Sequence, residues 1–145
     1  MNKIRLSSDE IMFMNMFEGM THAKVEDCVQ GEDVMGFVVQ KGDVGLAVGK
    51  KGANIEKVRR SVGKNVWVVE YSNDPEEFIR NIFHPVEIKK INISDSEQGK
   101  VASLEVRRSD RSKVIGLEGM RIRFAKKMVK RHCNIDDITI KTTGQ

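Results

Sequence analysis

The sequence predicts an α+β chain of two tandem domains, each a three-stranded sheet covered by helices on one face. Three observations predict it. First, the chain repeats itself. An offset of 67 residues, the distance from Gly49 to Gly116, lays Asp43 on Asp110, Val48 on Ile115, Gly52 on Gly119 and Ile55 on Ile122. Second, each copy holds one Gly-x-x-Gly, at Gly49-Lys50-Lys51-Gly52 and at Gly116-Leu117-Glu118-Gly119. Third, the same succession of signals runs through both copies: helix, strand, strand, short helix, glycine loop, helix, strand. Two copies are too few for a solenoid, so tandem domains are the simpler reading. The boundary falls near Asn73, giving a first domain over 1–73 and a second over 74–145 with almost no linker.

The elements follow in order. Ser7 with Glu10 forms a capping box that opens a helix through about Glu18, where Gly19 supplies a left-handed stop. Residues 24–30 and 34–40 read as strands around the turn Gly31-Glu32-Asp33. A short helix covers Asp43 to Val48 and leads into the first glycine loop. Beyond it a helix runs to about Ser61, with Ile55, Val58 and Val62 on one face and Gly63 at its end. Val66-Trp67-Val68-Val69 is a strand, in which Trp67 reads as core or sheet face rather than as a stacking platform. Asn73-Asp74-Pro75 opens the second copy as an N-cap followed by proline at the first helical position. That helix runs to Phe83, and Pro85 prevents its continuation. Residues 86–93 and 100–107 are strands, Ser109 caps a short helix into Ile115, a longer helix follows the second loop to about Arg131, and residues 135–140 close with a strand.

Composition narrows the function classes. The chain has 145 residues, 39% hydrophobic and 32% charged, enough for a core and above the usual charged share of about 25%. No apolar run approaches the roughly 18 residues that span a bilayer, and Met1–Leu6 lacks the apolar stretch of a signal peptide. A cytoplasmic protein with no membrane association is expected. Cys28 and Cys133 lie far apart without a CxxC context, so they read as two small buried or half-buried thiols. His22, His84 and His132 fit no metal-ligand spacing, and no metal or other cofactor is expected.

Charge is distributed unevenly. The net charge is +4, yet Lys50, Lys51, Lys57, Arg59, Arg60 and Lys64 follow the first loop against one acid, Glu56. Arg121, Arg123, Lys126, Lys127, Lys130 and Arg131 follow the second with no acid at all. Most charge runs are only a solvated helix face. Here both begin at a glycine loop, which points to a polyanionic partner. The start of a helix presents unpaired N–H groups and partial positive charge to an anion. Gly49 and Gly52 carry no Cβ, so a sugar-phosphate backbone can lie close, and Lys50 and Lys51 can neutralise it.

The run Val48-Gly49-Lys50-Lys51-Gly52-Ala53-Asn54-Ile55-Glu56-Lys57-Val58 resembles the core pattern of KH domains: an aliphatic, GxxG, then aliphatics at helical spacing. The leading helix and the closing strand resemble the type II version of the fold, so the chain reads as two tandem type II KH domains. Their arrangement resembles the paired KH region of the NusA transcription termination and antitermination factors, and the length is similar to archaeal NusA-like proteins. Bacterial members add a polymerase-binding N-terminal domain and an S1 domain, neither of which is expected in 145 residues. The resemblance implies a clamp on about four nucleotides of single-stranded RNA. Val48 and Ile55 would floor the groove, Asn54 would read base edges, and Arg59 would extend the phosphate path. RNA polymerase or a nascent transcription complex is the implied partner. No small-molecule substrate is implied.

The second loop departs from this pattern, because Glu118 stands where phosphate should approach and repels it. Three readings stay open: a structural relic, a weak site using backbone N–H groups with Arg121 and Arg123 compensating, or a usable groove with Glu118 turned outward. A weaker second site at Gly116, Gly119, Arg121 and Arg123 is the expectation. Other classes fit less well. A Walker A loop needs GxxxxGK[ST], and neither Val44, where its first glycine belongs, nor Lys51, where its Ser or Thr belongs, fits. No catalytic arrangement stands out, so no enzyme activity is expected. A KH protein of ribosome assembly or RNA processing shares the chemistry. A protein-interaction scaffold would use the methionines of the first helix, Met12, Met14, Met16 and Met20.

Overall fold

The computed structural model describes residues 7–144, so the reading of Met1–Leu6 lies outside the described residues. The described residues divide into two compact units that meet in sequence between Ser72 and Asn73. Each unit is α+β with one three-stranded sheet.

The first unit comprises α1 (Ser8–Thr21), β1 (Val25–Gln30), β2 (Val34–Val39), α2 (Val44–Val48), α3 (Ala53–Val62) and β3 (Asn65–Glu70). The capping box forms: Ser7 Oγ accepts from the Glu10 N–H at 3.1 Å, and Glu10 Oε1 accepts from the Ser7 N–H at 3.1 Å. The helix does not stop at Gly19. It continues to Thr21, whose hydroxyl donates to the Phe17 carbonyl at 2.9 Å, and the left-handed residue is His22, at φ 66°. His22 closes the helix by donating its N–H to the Glu18 carbonyl. Continuing through Gly19 lets half-buried Met20 reach the Ser61 hydroxyl on α3.

Strand β2 lies between β1, antiparallel, and β3, parallel. Two parallel strands require a crossover, and α2, the first glycine loop and α3 supply it. Phe17, Cys28, Met35, Phe37, Val39, Ala47, Val58 and Val66 form one buried cluster. The rings of Phe17 and Phe37 stack at 4.2 Å. Burying each such ring contributes roughly 1.5–3 kcal/mol. This core fixes α2 and α3, and with them the loop between. Trp67 is half-buried on β3.

The second unit repeats the plan with α4 (Pro75–Phe83), β4 (Lys90–Ser96), β5 (Gly99–Arg107), α5 (Arg111–Ile115), α6 (Met120–Cys133) and β6 (Asp137–Thr143). Here β5 is central, antiparallel to β4 and parallel to β6. Ala102, Leu104 and Val106 alternate inward on β5, and Phe78, Ile79, Phe83, Phe124, Met128 and Val129 are buried on α4 and α6. Strand β4 starts at Lys90 rather than at residue 86, because the chain leaving Pro85 first turns, with the Val86 N–H on the Phe83 carbonyl. Ser109 does not cap α5. It sits in a 3₁₀ turn over Arg108–Asp110, and Asp110 is the N-cap.

Both cysteines are thiols and not a disulfide, Cys28 buried and Cys133 half-buried. Burial, with Asp74 nearby, raises the Cys133 thiol to about 11. At pH 8 about one thiol in a thousand is then ionised, and the thiolate is the nucleophile. The native protein is therefore expected to resist iodoacetamide at pH 8, with rapid double alkylation once guanidinium unfolds it. Mass spectrometry of the two samples checks this.

Candidate nucleic-acid interface

The two glycine loops have one backbone. Gly49 and Gly116 have φ/ψ of 77°/172° and 79°/171°. Lys51 and Glu118 have 54°/29° and 55°/27°, and Gly52 and Gly119 have 76°/15° and 73°/14°. Three left-handed positions in four residues break the chain between helices and turn it into the next one. Lys51 and Glu118 occupy a region that side chains seldom adopt, so the frame, not the residue type, dictates that conformation. The last N–H of each loop closes on its first glycine, with the N–H of Gly52 on the Gly49 carbonyl and that of Gly119 on the Gly116 carbonyl, both at 3.1 Å.

The side chains on this shared frame diverge. Lys50 and Lys51 are exposed at the first loop. Among the described residues neither has an ion pair or side-chain hydrogen bond, and the same holds for Lys57 and Arg60 on α3. Arg59 pairs with Glu56 at 3.1 Å, both ends about half exposed, a contact weak enough to exchange for a better anion. Lys64 is turned away, donating to the Gly31 carbonyl at 3.0 Å. A groove of about 440 Å³ runs from the loop along α3, lined by Lys51, Gly52, Ala53, Ile55, Glu56, Lys57, Arg59 and Arg60. Ile55 supplies its apolar floor. Val48 is half-buried and does not line it. Asn54 is half-buried, and its Nδ2 donates to the Leu46 carbonyl at 2.8 Å rather than standing open at the groove.

The second unit spends its cations internally. Arg121 donates to the carbonyls of His84 at 3.1 Å and Ile82 at 3.4 Å, and its guanidinium lies 5.8 Å from the centre of the Phe83 ring. Burial pulls its pKa below the ordinary arginine value. Arg123 donates to the Glu118 carbonyl within the loop itself. Lys126 pairs with Asp137 at 3.1 Å, and Lys130 pairs with Asp136. Those lysines hold both carboxyls below the usual aspartate range, so the pairs are intact at neutral pH and are lost only as the pH falls through the lowered values. Lys127 alone of this helix's cations is exposed with no such partner among the described residues. Leu117 is 81% exposed at the loop tip, beside exposed Glu118. The basic run after the second loop is therefore mostly a set of clasps to β6 and α4. Sequence spacing could not show this, because its carbonyl and carboxylate partners come from distant segments.

Among the described residues no helix is long and apolar enough to cross a membrane, and no group of three or more His, Cys, Asp or Glu side chains could hold a metal ion.

Comparison with known proteins decides the family. A KH-domain model matches residues 15–98, and a model of the NusA-like second KH domain matches residues 75–143. A probable transcription termination protein NusA of Methanocaldococcus jannaschii is 35% identical over 145 residues, covering 100% of this chain and 79% of that one. The chain belongs to the NusA family. A probable transcription termination protein NusA of Halobacterium salinarum is 32% identical over 94% of this chain and 98% of its own. The crystal structure of APE1850 superposes with a TM-score of 0.83 at 28% identity, covering 94% of this chain and 100% of that one. The tandem KH architecture read from the sequence is thus the architecture of a NusA-type protein.

Proposed function

We propose that this NusA-like protein binds single-stranded RNA through Gly49–Gly52 and the groove along α3, and acts on the nascent transcript to regulate termination or antitermination. One observation carries the reading: two loops of the same backbone differ in side-chain chemistry, and only the first joins exposed lysines, without ion-pair partners among the described residues, to a cationic groove with an apolar floor. The flexible, exposed lysines suit a mobile phosphate chain, and Ile55 suits the face of a base. Gly116 and Gly119 lack that charge, their N–H groups are taken by the carbonyls of Ser112 and Gly116, and Arg121 and Arg123 are held by carbonyls, so the second unit contributes weakly to RNA affinity. The work is binding and not catalysis. The partners are RNA and the transcription machinery, in the cytoplasm.

The test has two arms. Fluorescence anisotropy with a labelled single-stranded RNA is expected to give tighter binding than a duplex DNA of equal charge, weakening steadily with salt as counterions are released. Equal affinity for both would reduce the site to a generic polyanion patch. RNA crosslinked to the protein in cells is expected to map to nascent transcripts near their 3′ ends. A map dominated by ribosomal RNA would instead favour a KH protein of ribosome assembly.

A further inference from the structure

The first loop is not held by its glycines alone. Leu46 lies in the last turn of α2, where helix carbonyls lack intrahelical N–H partners. Asn54 lies in the first turn of α3, on the far side of the GxxG. Its Nδ2 donates to the Leu46 carbonyl at 2.8 Å, so one side chain spans the loop and ties its two helices together. The same side chain packs into the space that Gly49 leaves: a Cβ on Gly49 would stand 2.7 Å from Asn54 Cγ and 2.8 Å from Nδ2. The missing Cβ and the amide bridge are one device.

The repeat supplies an internal comparison. The 67-residue offset lays Asn54 on Arg121 and Leu46 on Lys113. Gly116 packs against Arg121 in the same manner, with its virtual Cβ 2.8 Å from Arg121 Cβ. Yet the Arg121 side chain leaves the loop for the carbonyls of Ile82 and His84 at the end of α4. The contact beneath the first glycine is shared, and the bridge from α3 back to α2 belongs to the loop that carries the lysines.

We infer that Asn54 is a positioning residue that holds the Lys50–Lys51 loop in its binding shape through the Leu46 carbonyl, rather than a reader of bases. This rests on the proposal that the first loop binds RNA. A pre-organised loop loses less freedom when RNA arrives, which strengthens binding without adding a contact. The N–H engaged with Leu46 is not offered to a base edge, and that bond fixes the orientation of the rest of the amide.

The test compares Asn54→Ala, which removes the side chain, with Asn54→Leu, which keeps about its size and its packing on Gly49, adds no charge, and has no N–H to donate. Amide hydrogen exchange of Lys50–Ala53 in the RNA-free protein is expected to accelerate about tenfold in both. Affinity for oligo(U), oligo(A) and oligo(C) is expected to fall by a similar factor of about five to ten for each, with the salt slope unchanged because no cation is lost. Unchanged exchange in both variants would overturn the bridge. Loss confined to one oligonucleotide would make Asn54 a base reader and overturn the inference from the other side. Lys50→Asp with Lys51→Asp separates the two claims. If that pair leaves RNA affinity intact, the RNA reading fails, while the exchange measurement still decides the role of Asn54.

Discussion

Replacing Lys50 and Lys51 together by aspartate is expected to lower single-stranded RNA affinity on the order of a hundredfold at low salt and to leave the fold unchanged. Hydrogen bonds to charged groups contribute about 1.5–3 kcal/mol each, and exposed ion pairs about 0.2–1 kcal/mol. Two phosphate contacts at the middle of that span, each turned from attraction to repulsion, come to about 3 kcal/mol, and each 1.4 kcal/mol is tenfold. Removing two cations from a single-strand contact should also reduce the salt slope by about 1.4. Stability is expected to hold for local reasons. Both side chains are exposed and have no ion pair among the described residues. Lys51 sits at φ 54°, and aspartate is among the few side chains that tolerate that region. Anisotropy titrations at several salt concentrations, beside a thermal melt, check both halves. Unaltered affinity in a folded variant would remove the first loop from the RNA path.

Much of this architecture was legible because it rests on local chemistry. The Ser7–Glu10 box, Pro75 at a helix start and Gly63 at a helix end are each decided by backbone valence or sterics within a few residues. The GxxG frames were legible for the same reason, and the repeat doubled the signal. What stayed hidden depends on partners far along the chain. Nothing near Arg121 announces the carbonyls of Ile82 and His84, and nothing near Lys130 shows that it meets Asp136 once β6 is paired. Counting bases therefore overstated the cationic surface of the second unit. Asn54 shows a different limit. Its type and place beside the loop fit a base reader, and spacing alone could not show that its amide also meets the Leu46 carbonyl across the loop. The end of α1 illustrates a third limit: Gly19 suits a helix stop, but the packing of Met20 and the Thr21 hydroxyl carry the helix past it.

The two glycines of the first loop are expected to behave differently when replaced by alanine. Gly49 combines φ 77° with ψ 172°, a region essentially reserved for glycine, where a side chain costs about 1–3 kcal/mol. Its new Cβ would meet Asn54 Cγ at 2.7 Å. Pushing Asn54 aside gives up the bond to Leu46, about 0.5–1.5 kcal/mol more. Gly49→Ala should therefore cost roughly 2–4 kcal/mol, a fall in melting temperature on the order of 10 °C or more for a unit of this size. Gly52 is in the left-handed helical region, at 76°/15°, and its Cβ would find nothing nearer than Ile55 Cγ2 at 3.9 Å. There the strain of about 1–2 kcal/mol is partly offset by the stiffer unfolded chain, leaving a net cost near 1 kcal/mol. Trp67, the single tryptophan, lies on β3 and reports the unfolding of the first unit by its fluorescence. If Gly52 serves RNA rather than packing, Gly52→Ala should keep the fold and still bind RNA several-fold more weakly, because its methyl stands where the phosphate backbone would approach. A Gly52→Ala protein that binds as tightly as its parent would reduce the second glycine to a turn residue and move the close approach of RNA onto Gly49 and the lysines.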